Sequence, residues 1–240
     1  MAIRLENEGY VICSKRFSES KNLLSVFTKD YGRVDGISPI SKKNPIDIGS
    51  KVHMKWSAKL PHQLGFMEVH HLKTSVLFFN HVTPSCSYGH LLMLQSALAL
   101  LSSTLVLHHP YSSLYDVFDT FVNGITFQNY VQFELSFLKE LGFGLDLGRC
   151  AVTGDADNLF YLSPKSGCAV SKHAGYPYKE KLLLLPKLFQ CDELKQYTAF
   201  DITQALQVLG YFIKKHLVHG DFPLPRQMLA NHCTSLQEAA

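Results

Sequence analysis

The chain has 240 residues, 46% of them hydrophobic, at a mean hydropathy of +0.02. That is enough to bury a sizeable core in one or two domains and excludes a small scaffold that folds only around a metal or disulfide staple. The formal net charge is only +3 but is unevenly placed: residues 1–80 hold 12 basic and 7 acidic residues, a balance of +5, and the remainder holds 11 and 13, a balance of −2. This asymmetry points to an N-terminal part that meets a polyanion. The six cysteines lie far apart, at 13, 86, 150, 168, 191 and 233, and charge runs through the first twenty residues without a secretory signal, so reduced thiols in the cytoplasm are expected.

The first 80 residues read as strands. "EGYVICSKRF" opens the series. "NLLSVFTKDYGRVDGISPI" follows as two strands joined at "KDYGR", where Gly32 can supply a positive φ. "KVHMKWSAKL" alternates. Val52, Met54, Trp56, Ala58 and Leu60 fall on one face, with Lys51, His53, Lys55, Ser57 and Lys59 on the other. "LGFMEVHHL" completes five short strands in about 75 residues, the pattern of a small barrel such as the oligonucleotide-binding fold. Alternate residues on one strand face sit about 6.6 Å apart, so Lys51, Lys55 and Lys59 form a row of cations with His53 among them. Lys15, Arg16, Arg33, Lys42 and Lys43 fall near strand ends and loops. Positive grooves of this kind follow a phosphate backbone without reading sequence.

The period then changes. No residue between Lys73 and Asp116 is charged with His neutral, and "LLMLQSALALLSSTLVL" runs through that gap. Its 17 residues reach only the lower limit of a membrane span, and Gln95 and four hydroxyl residues dilute it, so a buried helix is expected. Thr83-Pro84 suits its start. "SSLYDVFDTFVNGI" and "FQNYVQFELSFLKELGFG" read as helices, the second with an apolar stripe of Phe127, Tyr130, Val131, Leu135 and Leu138 and a glycine stop at Gly142. "FDITQALQVLGYFIKKHLVHG" is another, burying Ile202, Ala205, Leu206, Leu209, Phe212, Ile213 and Leu217. The expected class is α+β: a barrel over residues 1–80, then a mostly helical part over 81–240 with a ribbon-like insertion at 150–178.

That insertion, "CAVTGDADNLFYLSPKSGCAVS", has half of a zinc-ribbon spacing. With cysteine at Thr153 and Ser171 it would read C-x2-C-x14-C-x2-C. A structural zinc wants four ligands, and hydroxyls are too weakly acidic to replace thiolates. His173 lies five residues beyond Cys168, so a metal-free hairpin packed by Leu159, Phe160, Tyr161 and Leu162 is expected. Signatures of catalysis are poor: the chain has no phosphate-binding glycine loop, no G-x-S-x-G and no H-E-x-x-H. His70 and His71 point to opposite faces of a strand and cannot easily share an ion. No enzymatic activity, cofactor or metal is expected.

Three segments in this order, "EGYVICSKRFSESKNLLSVFTKDYGRVDGI", "FELSFLKELGFGLDLGRCAVTG" and "YLSPKSGCAVSKHAGYPY", resemble the RecO family of bacterial recombinational DNA-repair proteins. The resemblance covers nearly the whole chain and is most specific from Phe133 to Tyr178. It implies an oligonucleotide-binding barrel followed by a helical domain. Some members carry a four-cysteine zinc module at the position of Cys150, Thr153, Cys168 and Ser171, and this chain resembles the branch that has lost the metal. The implied role is non-enzymatic. The family binds single- and double-stranded DNA, anneals complementary strands and, with RecR, helps load RecA onto DNA coated with single-strand-binding protein (SSB). The implied partners are DNA, RecR and the acidic, apolar C-terminal tail of SSB. Lys214, Lys215 and Arg226 are the candidate cations for that tail. The chain is expected to be monomeric alone and nucleoid-associated, with no membrane contact. Two other classes stay open on the residues: an RNA-binding barrel protein of translation or RNA turnover, and a metal-dependent hydrolase using the histidines and cysteines.

Overall fold

A computed structural model of the chain describes residues 3–41, 45–60, 63–74, 88–190, 197–218 and 220–238. The expected Thr83-Pro84 helix start lies outside the described residues, as do Lys42 and Lys43. Two compact units divide the chain at Asn123/Gly124. The change from strand to helix comes earlier, between Lys73 and Tyr88, so the boundary of element type and the boundary of compactness are different places.

The first unit is built on a closed five-stranded barrel, ordered β1-β2-β3-β5-β4. Its strands are β1 (Ile3–Arg16), β2 (Lys21–Thr28), β3 (Gly32–Pro39), β4 (Lys51–Ala58) and β5 (Gly65–Lys73). All neighbours are antiparallel except β3 and β5, which close the barrel in parallel through Gly36↔Gly65 and Ile37↔Phe66. This is the expected oligonucleotide-binding architecture. The alternation read in β4 holds as far as Ala58: Val52, Met54, Trp56 and Ala58 point into the core, while Lys51, His53, Lys55 and Ser57 lie outside. Leu60, expected on the inward face, falls past the strand end and is 65% exposed.

Trp56 is 2% exposed and fills the barrel interior, its indole N–H donating to the Asp35 carbonyl at 2.9 Å. The closure point must be glycine for that reason. A Cβ on Gly65 would stand 2.3 Å from the Trp56 ring, and one on Gly36 would stand 2.7 Å from the Met67 Cβ. The turn after β2 also works as read. Gly32 has φ +63°, and the Thr28 hydroxyl donates to its carbonyl at 3.0 Å.

Helices α1 (Tyr88–Thr104) and α2 (Ser112–Asn123) complete this unit. The uncharged segment is a core helix, with Leu92, Met93, Leu94, Leu98, Leu100 and Leu101 all buried. Among the described residues no helix is long and apolar enough to cross a membrane. Tyr115 and Phe118 of α2 pack edge-on or tilted against Phe27 and Tyr10 of the barrel at 5.2–6.2 Å. This part of the barrel's outer surface is therefore core.

The second unit holds α3 (Phe127–Glu140), α4 (Lys172–Gly175), α5 (Ala199–His216) and α6 (Leu224–Glu238), with a small sheet ordered β7-β6-β8. Its strands are β6 (Leu159–Leu162), β7 (Ala169–Ser171) and β8 (Leu183–Leu184). Gly142, at φ +87°, ends α3 as read. Its N–H bonds the Lys139 carbonyl, and that of Phe143 bonds Leu138, the paired pattern of a left-handed helix stop. Thr198 and Asp201 form a reciprocal capping box at the start of α5.

The buried face of α3 differs from the expected stripe. It comprises Tyr130, Val131, Phe133, Glu134, Phe137 and Leu138, while Phe127 and Leu135 are only half-buried. A buried glutamate rotates the face. Glu134 is fully buried because Arg226 of α6 meets it in a two-pronged ion pair, Nε to Oε1 at 2.6 Å and Nη2 to Oε2 at 3.0 Å. The Tyr130 hydroxyl donates to the same carboxylate at 2.5 Å. On α5, Ala205, Leu206, Leu209, Phe212 and Ile213 are buried as expected, with Ile202 and Leu217 at the margin.

Candidate nucleic-acid interface

Outward residues of β1, β4 and β5 form three cross-strand rows: Arg4–Ser57–Phe66, Glu6–Lys55–Glu68 and Glu8–His53–His70. Directly opposed side chains are about 5 Å apart at Cβ. Lys55 therefore stands between two carboxylates, and its ammonium lies 3.3 Å from Glu6. His53 bonds the same Glu6 oxygen at 2.9 Å. Lys51 lies 3.0 Å from Asp119, which also accepts from the Tyr10 hydroxyl at 2.7 Å. Burial would raise the Asp119 carboxyl, but the bonds from Tyr10 and Lys51 outweigh it and hold the group below its ordinary value. The lysine row exists as read, but it does not add up to a positive stripe. Glu6 and Glu68 across the sheet offset Lys55, and Asp119 of α2 offsets Lys51.

Arg33 is also engaged within its own unit. It forks onto Asp35 at 2.9 and 2.8 Å and donates to the Ser102 carbonyl of α1 at 2.6 Å.

In the first unit, several cations without an ion-pair partner among the described residues sit at strand ends. Lys15 and Arg16 close β1 and Lys21 opens β2, all three exposed. The hairpin register pairs Arg16 with Asn22 and Lys21 with Pro39. Phe17 lies at this tip with 54% of its surface exposed. Lys59 is exposed just past the end of β4, followed by Leu60 at 65% exposure. These are the loops between strands 1 and 2 and between strands 4 and 5, the two that this barrel architecture uses for oligonucleotides. Lys21 and Phe17 were not singled out in the sequence. The available signal was an aromatic residue directly after a Lys-Arg pair at a turn.

In the second unit the three candidate cations separate. Lys214 is exposed in the last turn of α5. Lys215 donates to the Pro164 carbonyl at 2.7 Å and lies 5.8 Å from the Tyr211 ring. Arg226 is 3% exposed and held by Glu134 and by the Leu206 carbonyl at 2.9 Å. It is an interior ion-pair member, not a surface cation. Around Lys214, the His216 ring stacks on Phe143 at 4.5 Å, and Tyr211 and Phe143 are both partly exposed.

The ribbon keeps its backbone closure. Cys150 N–H bonds Asp155, Ala151 bonds Ala169, and Lys172 bonds Asn158. Cys150, Tyr161 and Val170 form its core, with Leu159, Ala174 and Leu182 packed against them. The four ligand positions do not fit a structural zinc. Ser171 places its N–H 3.2 Å and its hydroxyl 3.5 Å from the Cys150 sulfur, and Thr153 adds bonds from its hydroxyl and N–H. The two hydroxyls thus serve the sulfur itself. Burial would push the Cys150 thiol up, yet these four bonds outweigh it and pull it down to about 6. The Cys168 thiol instead faces the Ser166 carbonyl at 3.7 Å. Among the described residues no group of three or more His, Cys, Asp or Glu side chains could hold a metal ion.

Fold and charge define a class: an oligonucleotide-binding barrel with cationic loops, followed by a helical unit that carries a small three-stranded sheet. Residues 88–223 match the family described as Recombination protein O C terminal. The chain is 34% identical to the DNA repair protein RecO of Ehrlichia chaffeensis over 230 residues, which covers 90% of this chain and 91% of that protein. It is also 34% identical to the DNA repair protein RecO of Wolbachia sp. subsp. Drosophila simulans over 242 residues, 95% of this chain and 99% of that one. The corresponding protein of Rickettsia canadensis is 31% identical over 226 residues, 91% of each. The chain belongs to the RecO family of DNA repair and recombination proteins.

Proposed function

We propose that this chain binds single- and double-stranded DNA through its barrel, anneals complementary strands and, with RecR, helps load RecA onto SSB-coated DNA in the nucleoid. Annealing brings two polyanions together, and a cationic surface lowers that cost by displacing their counterions. The observation that carries the reading is the set of cations Lys15, Arg16 and Lys21, without carboxylate partners among the described residues, around exposed Phe17, with Lys59 on the other loop. Lys42 and Lys43, which follow β3 in the sequence, join this phosphate-binding set in the proposal. Lys51, Lys55 and Arg33 act chiefly within the barrel. In the second unit, the end of α5 around Lys214, Lys215, Phe143 and Tyr211 is the proposed seat of the acidic, apolar SSB tail, since it combines cations with exposed rings.

The test is binding and annealing by the full chain. The Lys15→Gln/Arg16→Gln/Lys21→Gln variant should bind single strands at least tenfold more weakly at about 0.1 M salt, because on the order of three phosphates are no longer neutralised, and should anneal more slowly. Wild-type annealing rates in the variant would overturn the assignment. A chain that remodels RNA but does not anneal DNA would overturn the DNA reading itself.

A further inference from the structure

We propose that the ribbon carries a second nucleic-acid site, in which bases of a single strand stack on Tyr176 and Tyr178 while Lys172 and Lys179 meet its phosphates. This rests on the reading that the chain binds DNA, and adds a surface that the barrel does not explain.

The observations are local to α4 and the 3-10 turn after it, Tyr176–Lys181. Ten residues, "KHAGYPYKEK", hold three lysines and one histidine against one glutamate. Tyr176 and Tyr178 are 63% and 62% exposed, and neither hydroxyl has a hydrogen-bond partner among the described residues. Rings of this size are normally buried or tied down at the hydroxyl. Two rings of the unit, Tyr176 and Phe160, already carry a cation. The Lys179 ammonium lies 5.3 Å from the centre of the Tyr176 ring, and that of Lys172 lies 5.2 Å from the Phe160 ring. Rings interleaved with cations are what sequence-tolerant single-strand binding uses, because every base has a π face and every link a phosphate.

The surface is concave and stiff. A cleft of about 530 Å³ is lined by Asn158, Lys172, His173, Tyr176 and Pro177. Beneath it, α4 sits hard on β6. A Cβ on Gly175 would stand 2.4 Å from the Tyr161 ring and 3.1 Å from Leu182. Pro177 fixes the start of the turn. The backbone that carries the rings is thus set before a ligand arrives, which reduces the ordering cost of binding. Charge decides the occupant. The lysines favour a polyanion, and the Glu180 carboxylate is held near Lys179 at 4.0 Å. The absence of a zinc fit is consistent with this role, because the hairpin is kept in shape by the Cys150 hydrogen bonds and the packing around Tyr161.

The experiment uses the full chain and a thymidine-rich single strand substituted with 5-iododeoxyuridine, photo-crosslinked and mapped by peptide mass spectrometry. Adducts are expected on Tyr176 or Tyr178 as well as in the β1–β2 hairpin. Tyr176→Ser/Tyr178→Ser should melt like the parent and bind the strand about tenfold more weakly, with an unchanged salt slope. The Tyr176→Phe/Tyr178→Phe pair should bind like the parent. Lys172→Gln/Lys179→Gln should reduce the slope of log K against log salt by about 1.4. Adducts confined to the hairpin, with parent-like binding by the Ser and Gln variants, would overturn this site and leave the barrel reading standing. Specific binding of an acidic apolar peptide at the tyrosines, with strand affinity unchanged in the Ser variant, would also overturn it. If the parent chain fails to bind the strand, both readings fall.

Discussion

Replacing Arg226 with Met should unfold the second unit far more readily than replacing an exposed arginine could. The guanidinium is 3% exposed and its partner Glu134 is fully buried. Burial would favour loss of its charge, but the adjacent Glu134 carboxylate holds it cationic. Removing it leaves the carboxylate inside the protein with the Tyr130 hydroxyl as its remaining hydrogen-bond donor among the described residues. Breaking a buried pair on one side costs about 3–5 kcal/mol. With a urea slope of about 2 kcal/mol/M, the midpoint should fall by about 2 M in unfolding followed by far-UV circular dichroism. The second variant separates charge from packing. Glu134→Gln/Arg226→Met has no buried charge, keeps an acceptor for Tyr130, and should regain at least half of the loss. Unchanged stability in Arg226→Met, or a double variant no better than the single, would refute this reasoning. A stable Arg226→Met protein that had lost affinity for an acidic peptide would return Arg226 to the surface role expected from the resemblance.

Other expectations follow from the same geometry. The thiol of Cys150 is depressed to about 6 against about 8.5 in an unfolded chain. Its stabilising contribution is therefore full above the unfolded value and is lost as pH falls through about 6. The melting temperature of the parent minus that of Cys150→Ser should grow by several degrees between pH 5.5 and 9, and a flat difference would contradict the thiolate. Elemental analysis should find no stoichiometric zinc, and chelators should not change the melting temperature. About one zinc per chain, with a large loss on chelation, would show a filled site. Trp56→Ala should cost about 3–5 kcal/mol through the cavity it leaves. Should the barrel stay intact while strand affinity alone falls, Trp56 is a stacking platform rather than core.

Much of the barrel could be read in the sequence because β4 alternates without fault and Gly32 marks its turn. The interface was harder, because a strand's charges act together with those opposite them. The row Lys51, Lys55, Lys59 is visible in one line of sequence, whereas the pairing that puts Lys55 between Glu6 and Glu68 depends on register across three strands. Arg33 reads as a surface cation until Asp35 and the Ser102 carbonyl are placed around it. Glu134 hid the true face of α3, since a glutamate is ordinarily read outward and its partner lies 92 residues away. The same distance made Arg226 look free. At the ribbon, the missing cysteines at 153 and 171 argued against zinc, but the way Thr153 and Ser171 turn to Cys150 could not be read from spacing.

The central claim is that phosphate contacts at the barrel's loop ends hold the nucleic acid. The direct measurement is the salt dependence of single-strand affinity for the parent, for Lys15→Gln/Arg16→Gln/Lys21→Gln, and for Lys51→Gln/Lys55→Gln. Each phosphate that is no longer neutralised should reduce the slope of log K against log salt by about 0.7. The slope of the hairpin variant should therefore be shallower by about 2, while that of the β4 variant should change little, because its lysines already face Asp119 and Glu6. A hairpin variant with the parent's slope, or a β4 variant with the larger change, would contradict the account.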